Sequence, residues 1–405
     1  MGSTDAQTAY APQVASMLWP KPAVVTVARK PGRSTPGILR DWFVLPSPTR
    51  PRLLVPAGVP SAARMLVRHG ERVGPRLARF LLATAVRSGL MDRLPVSRLR
   101  VTAADGTGTD LASVESRLAD VLGEQVATGV LLGTPRANRK PVLQVFGSDG
   151  RTLAFVKVGC DDVTRGLVRR EAANLRRLED AELRLIEAPR IVYAGAFTDL
   201  ELLVLSPMST SQQKRRVGPP PLPAMRDLAC SLGTTVQPLR ESAFWAALTG
   251  ACAGVVTSPL AGQLADTLGS AGERYGDRQL QFASWHGDWA PWNMGVSGDR
   301  VQLWDWERFS DAVPLGFDAV HYRAQQVRHN LGGLRQAEDQ LRAELPNLLA
   351  GVGVDNPQGA APVILTLYLL QVSSRYLGPG ADIFNGGPHP RARWALDFAG
   401  RVAGG

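Results

Sequence analysis

Cysteine is almost missing from this chain of 405 residues. Cys160, Cys230 and Cys252 are scattered, no CxxC pair occurs, and the five histidines lack the spacing of zinc ligands. A disulfide framework and a structural metal are therefore not expected. Long apolar runs are missing too. Residues 1–20 mix Asp5, Gln7 and Gln13 with small side chains and never build the apolar core of a secretory leader. No stretch reaches the roughly 20 apolar residues a spanning helix needs. The longest candidate, 361–372, is shorter and contains Gln371. The expectation is a cytoplasmic, reduced protein without a transmembrane segment.

Acidic residues are scarce at the front. Residues 1–100 hold sixteen Lys and Arg against four Asp and Glu, a net of +12, whereas the remaining 305 hold 30 against 32, a net of −2. Such a leader suits a phosphorylated ligand, an acidic membrane surface or nucleic acid. An arginine-rich solvated surface is the alternative. No zinc finger or RNA-binding signature accompanies the arginines, and aromatics there are sparse, so no specific nucleic-acid partner is expected.

What is present is an ordinary globular composition, 44% apolar and 20% charged, in a chain long enough for two or three packed units. Residues 20–60 are proline-dense with short β-prone pieces at 23–28 and 42–45. Residues 61–87 place Met65, Leu66, Leu77, Phe80, Leu81 and Ala85 among arginines in a helical rhythm. Asp110 can cap a helix running to Val121.

Past Gly123 the period changes from helical to extended. Residues 130–132, 142–146 and 152–158 read as three antiparallel strands, with a Gly147-Ser148-Asp149-Gly150 hairpin turn between the last two. A charged helix over 163–179 follows, then strands at 190–193 and 200–205, giving β-β-β-α-β-β. Residues 206–223 read as a polar, proline-rich hinge. Beyond it the chain reads as helical, with one interruption over 284–306. The expected domains are a basic extension or cap over 1–110, a sheet-rich lobe over 111–207 and a helical lobe over 208–405. The chain shows no internal repeat.

The interruption carries chemistry. It reads His286-Gly287-Asp288-Trp289-Ala290-Pro291-Trp292-Asn293, a turn at 295–299, then Val301-Gln302-Leu303-Trp304-Asp305-Trp306-Glu307. A loop carboxylate is followed by an amide, and a hairpin supplies a second carboxylate. Phosphoryl transfer asks for little more, because its transition state spreads charge over phosphate oxygens and the protein mainly positions substrates and holds magnesium on hard oxygen ligands. Taken singly, Asp288 or Asp305 reads as a turn-former, Asn293 as a loop cap, and Trp289 and Trp292 as packing. Their joint spacing favours the chemical reading.

Here the sequence resembles the aminoglycoside phosphotransferase and choline kinase family of the protein-kinase-like superfamily. That family's HGDxxxxN pattern, followed by [I/V/L]xDWE, is matched at His286 to Asn293 and Leu303 to Glu307. The resemblance implies an α+β, two-lobed protein-kinase-like fold over about 121–377, with residues 1–110 outside it. It implies an enzyme that moves the γ-phosphate of ATP to a hydroxyl of a small molecule, with Mg2+ as cofactor. Asp288 would orient or deprotonate the acceptor, His286 would serve the catalytic loop as its scaffold, and Asn293 and Asp305 would ligate magnesium. Upstream, Lys157 in Ala154-Phe155-Val156-Lys157-Val158 would contact the nucleotide phosphates and Glu171 would orient it, since a lone ammonium needs an anion to fix it.

The nucleotide loop is the weakest match. Gly133 to Lys140 lacks GxGxxG; Thr134 and Asn138 are candidates for phosphate contact, while Arg136, Arg139 and Lys140 read equally well as an exposed basic turn. The hinge over 203–208, with Leu205 and Met208, would offer its backbone to adenine. Glu307 completes the DWE pattern, and Asp318 is expected to cap the next helix.

A protein kinase typically carries Lys two positions after its catalytic Asp, where this chain has Ala290, and Asp305 is followed by Trp306-Glu307 rather than Phe-Gly. An inactive kinase-like binding module usually lacks part of the set formed here by Lys157, Asp288, Asn293 and Asp305. Both stand as alternatives. The crowd of Trp289, Trp292, Trp304 and Trp306 suits either core packing or stacking on a sugar-like acceptor.

Overall fold

The computed structural model describes residues 3–28, 37–69, 73–104, 111–133, 139–208, 218–327, 334–378 and 389–404. The chain divides into two units, Met1–Ala172 with Arg190–Pro207 and Ala173–Pro189 with Met208–Gly405.

In the first unit the chain forms α1 (Ser3–Leu18), β1 (Val24–Ala28), β2 (Ile38–Leu45), β3 (Leu53–Pro56), α2 (Ala63–His69), α3 (Arg76–Arg87), α4 (Leu90–Arg93), β4 (Arg98–Thr102), α5 (Val114–Leu122), β5 (Val126–Leu131), β6 (Val142–Gly147), β7 (Thr152–Gly159) and the start of α6 (Asp162–Glu179), whose residues from Ala173 on belong to the second unit. After β8 (Ile186–Glu187), which belongs to the second unit, it returns for β9 (Ile191–Phe197) and β10 (Leu200–Leu205). Among the described residues nine strands of this unit make one sheet in the order β1-β4-β2-β3-β5-β6-β7-β10-β9, antiparallel throughout.

Strand β2 explains why that sheet needs cover on both faces. Successive side chains of a strand alternate between faces. Trp42 and Val44 enter a core shared with α1 and α5, while Phe43 and Leu45 enter a second core shared with α2 and α3. The basic leader is thus part of the sheet. β3 pairs with β5, Leu53 opposite Leu131 and Leu54 opposite Val130, so the expected boundary at 110 falls inside one sheet. The leader's short apolar pieces gain main-chain partners there that a separate cap would have to supply itself.

Asp110 lies outside the described residues, and α5 is instead capped by Ser113, whose hydroxyl accepts from Ser116 N at 3.0 Å. Residues 3–18, which carry no clear helical rhythm, form α1 and bury Ala11, Val14, Ala15 and Leu18 against the sheet.

The second unit is mainly helical. After β8 come α7 (Leu222–Cys230), β11 (Thr235–Pro238), α8 (Ala243–Ala253), α9 (Ala261–Tyr275), β12 (Gln279–Trp285), β13 (Met294–Ser297), β14 (Arg300–Leu303), β15 (Ser310–Pro314), α10 (Phe317–Val327), α11 (Leu334–Gly351), α12 (Pro357–Leu377) and α13 (Pro390–Gly404). Its strands form two small sheets, β11-β12-β15 and β13-β14-β8. The interruption read in the sequence is therefore larger than expected, because β12 leads into it and β15 leads out. α12, which holds the longest apolar run, is buried on nearly every side, with Val363, Ile364, Leu367 and Leu370 in the core. Among the described residues no helix is long and apolar enough to cross a membrane. The chain is α+β.

Candidate active site

In the first unit, Lys157 stands on β7 between Val156 and Val158, which enter the core on the opposite face, and it pairs across to Val142 and Leu203. Its Nζ donates to both carboxylate oxygens of Glu171, each at 2.6 Å, and both residues are buried. The turn from β7 into α6 makes the pair possible. A Cβ at Gly159 would lie 2.7 Å from Arg165 Cα, so only glycine lets the helix start so close to the strand. Asp161 Oδ1 accepts from Thr164 N at 2.8 Å and Thr164 Oγ1 accepts from Asp161 N at 3.0 Å, a reciprocal cap that fixes the first turn.

Thr134, Arg136 and Asn138 lie outside the described residues. Arg139 is half-buried rather than exposed: its guanidinium sits 3.5 Å over the Tyr10 ring and donates to the Gly133 carbonyl at 3.1 Å. Leu205 ends β10, opposite Phe155 and Ile191. Met208 begins the second stretch of chain in the second unit and is half-buried.

In the second unit, β12 delivers His286, Gly287 and Asp288 in succession. His286 is fully buried. Its Nδ1 accepts from Asp288 N at 3.2 Å and its Nε2 meets the Trp304 carbonyl at 3.1 Å, which assigns a neutral ring with the proton on Nε2. Burial, the largest influence, pushes its pKa down to about 4. His286 braces the loop against the strand that bears Asp305, and its ring meets Trp306 edge-on at 4.7 Å.

Gly287 adopts φ +82°, and a Cβ there would lie 2.4 Å from Arg308 O. Its carbonyl accepts from Arg375 Nη1 of α12 at 3.0 Å. Asp318 does not cap α10 as expected. Its two oxygens accept instead from His286 N at 2.7 Å and Gly287 N at 3.2 Å. Burial pushes the Asp318 carboxyl up to about 7, against the pull of those two amides.

Asp288 is held on both oxygens. Asn293 Nδ2 donates to Oδ2 at 3.0 Å and also to the Asp288 carbonyl at 2.9 Å. His321 Nε2 of α10 meets Oδ1 at 3.2 Å, and His321 Nδ1 meets the Tyr368 hydroxyl of α12 at 3.0 Å. Gln325 Nε2 is also 3.0 Å from His321 Nε2. If His321 donates to Asp288, that contact fits the Gln325 amide in its other orientation, oxygen toward the ring. Burial would raise the Asp288 carboxyl, but the His321 hydrogen bond holds it below the ordinary value, with Arg308 helping and Asp305 opposing. His321 is itself lowered, chiefly by burial, so it serves as a neutral donor. His321, Tyr368 and Arg375 escape a reading of the sequence. They come from α10 and α12, and no spacing rule ties them to the loop.

Asp305 sits at the end of the β13–β14 hairpin with φ +78° and ψ 53°, a left-handed conformation that costs a non-glycine residue strain of about 1–3 kcal/mol. Its carboxylate and that of Glu307 lie within 4.8 Å of each other. Asn293 spends its amide nitrogen on Asp288, which leaves its oxygen as the atom a cation can use. Asn293 Oδ1, Asp305 and Glu307 are hard oxygen donors, and that set fits magnesium. Of the four tryptophans, Trp289 and Trp306 are fully buried core, Trp304 is half-buried and Trp292 is 40% exposed. Ala290, at the position where a protein kinase typically carries its lysine, is fully buried.

No protein-family model matches the sequence, and no curated protein matches it. Solved structures are similar in chain path. A thermostable mutant of the aminoglycoside phosphotransferase APH(4)-Ia, in a ternary complex with ADP and hygromycin B, is 15% identical with a TM-score of 0.49, covering 72% of this chain and 98% of its own. The choline kinase LicA from Streptococcus pneumoniae is 15% identical with a TM-score of 0.47, over 71% and 98%. A candidate fructosamine-3-kinase from Thermobifida fusca is 17% identical with a TM-score of 0.42, over 72% and 98%. Similarity at this level leaves what the chain does to be argued from its own residues.

Proposed function

We propose that the chain is an ATP- and magnesium-dependent phosphotransferase whose acceptor is a hydroxyl of a small molecule. The observation that carries the reading is the clasp on Asp288: a carboxylate on a loop, held by an amide on one oxygen and a neutral imidazole on the other, beside a second carboxylate on a strained hairpin. A carboxylate so fixed suits a base or orienter for one hydroxyl, because little orientation remains to be lost at the moment of reaction.

In this reading the acceptor hydroxyl donates its proton to Asp288 while its oxygen bonds to the γ-phosphorus. The bond from that phosphorus to the bridging oxygen breaks, and ADP leaves. Lys157, oriented by Glu171, contacts the nucleotide phosphates, and the backbone from Leu205 to Met208 meets adenine. Thr134 belongs to the same proposal as a phosphate contact. His286 holds the loop and does not exchange protons in the working pH range. Magnesium, held by Asn293 and Asp305, would neutralise charge on the phosphate oxygens.

A sugar, amino sugar or related natural product fits the acceptor best, since Trp292, next to Asn293, is 40% exposed and aromatic rings stack on sugar rings. The buried Ala290 speaks against a protein kinase. A screen for ATP consumption across sugars, amino sugars, choline-like alcohols and aminoglycosides tests the reading. Acceptor-dependent consumption supports it, and a protein that binds no Mg-ATP overturns it, because nucleotide binding should raise its apparent stability.

A further inference from the structure

Helix α3 presents its side chains the wrong way round for an element that packs only on its own sheet. The positions it buries are the small Ala83 and Val86, packed with Phe43, Met65 and Leu66. Its bulkiest apolar side chains face outward: Leu77 is 71% exposed, Phe80 65% and Leu81 60%. Positions three and four apart share one helix face, so these three form a stripe. Val67 of α2, Leu90 of α4 and Leu94 just beyond it are exposed as well. Single exposed apolar residues are ordinary, whereas a gathered stripe marks a contact surface.

Charge selects the partner. Residues 60–104 contain nine arginines and two acidic residues. Arg64 and Arg68 of α2, Arg76 and Arg87 of α3 and Arg93 of α4 are exposed, and among the described residues none of the five has a carboxylate within ion-pair distance. Burial, and after it the neighbouring Arg64, pulls the Arg68 guanidinium below its ordinary value. A second copy of the chain would set these arginines against each other. An acidic protein would answer the charge but not the apolar stripe standing off the helix. An anionic bilayer answers both, with phosphate headgroups for guanidinium forks and the acyl boundary for Leu and Phe.

We infer that α3 lies in the surface of an anionic membrane, inserting Leu77, Phe80 and Leu81 while the arginines of α2, α3 and α4 engage lipid phosphates. The attachment is peripheral and reversible, because three side chains insert and no segment spans.

Co-sedimentation of the full chain with vesicles tests this. Binding is expected to vesicles of mixed phosphatidylglycerol and phosphatidylcholine, not to phosphatidylcholine alone, and to weaken as salt screens the arginines. Leu77→Ser/Phe80→Ser/Leu81→Ser should lower the affinity at least tenfold with an unchanged melting temperature, since all three side chains are already exposed. Arg76→Ser/Arg87→Ser should do the same for the anionic vesicles. Three results overturn the inference: no binding by the unaltered chain, equal binding by the triple variant, or retention on an acidic polyglutamate peptide without retention on vesicles. A dimer that the triple variant turns into a monomer, with no vesicle binding, would assign the stripe to a second copy.

Discussion

Asp288 and His321, 33 positions apart, meet at 3.2 Å, with Tyr368 behind the imidazole at 3.0 Å. In the proposed reaction the imidazole acts by positioning the carboxylate. His321→Ala should therefore lower kcat about tenfold to a hundredfold, the scale on which a misplaced catalytic group costs rate, while leaving KM for ATP unchanged. His321→Gln, which keeps a donor, should recover most of the loss. Steady-state kinetics reads both, and a fall in kcat equal in the two variants would reduce His321 to packing.

Lys157 and Glu171 form a buried pair, and removing one partner leaves the other charge uncompensated. Lys157→Met should cost about 3–5 kcal/mol of stability by that mechanism. Lys157→Met/Glu171→Gln should regain much of it, although neither variant should bind ATP normally. Urea unfolding of the single and double variants gives the coupling. Additive losses would contradict a paired role.

The buried histidines set a pH dependence. His286 titrates in the folded state at about 4 and His321 is lowered in the same direction, against an ordinary value of 6.5. Unfolded chains bind protons that the folded chain refuses, so this contribution to stability is complete above pH 6.5 and is lost as pH falls toward 4. Asp318, pushed up to about 7, acts with the opposite sign, because the folded state takes up its proton first and gains stability as pH falls. The melting temperature should drop between pH 6.5 and 4.5, and more steeply in Asp318→Asn, which lacks the opposing group. A flat profile would contradict the neutral-histidine brace.

Gly287 and Gly298 both have positive φ, +82° and +62°, but only Gly287 is crowded, with Arg308 O at 2.4 Å from a would-be Cβ. Gly298→Ala should cost about 1 kcal/mol, the strain of a left-handed alanine. Gly287→Ala should cost more and lower kcat as well, since the Asp288 loop must shift. Thermal melts and kinetics on the two variants check the ranking.

The parts of the candidate site that lie close together in sequence could be linked there. Asp288, Asn293 and Asp305 sit on one loop and hairpin, and Lys157 and Glu171 on one strand and the helix after it, so motif spacing and the family resemblance together singled them out. His321, Tyr368 and Arg375 were not readable, because they reach the loop through tertiary packing of α10 and α12 and resemble ordinary core residues in sequence. The leader's place in the sheet was not readable for a related reason. Its strands are short and proline-flanked, and what makes them strands is the sheet edge beyond Leu53 and Leu54 rather than their own pattern. β12 was overlooked because its apolar run continues directly into the loop.

The most direct test follows transfer of labelled γ-phosphate from Mg-ATP to whichever hydroxyl acceptor supports consumption, in the unaltered chain and in Asp288→Asn. The account predicts transfer by the first and a loss of roughly a thousandfold or more in the second, with Mg-ATP still bound, the scale of a removed base together with its orienting effect. Equal transfer by the two proteins would contradict it.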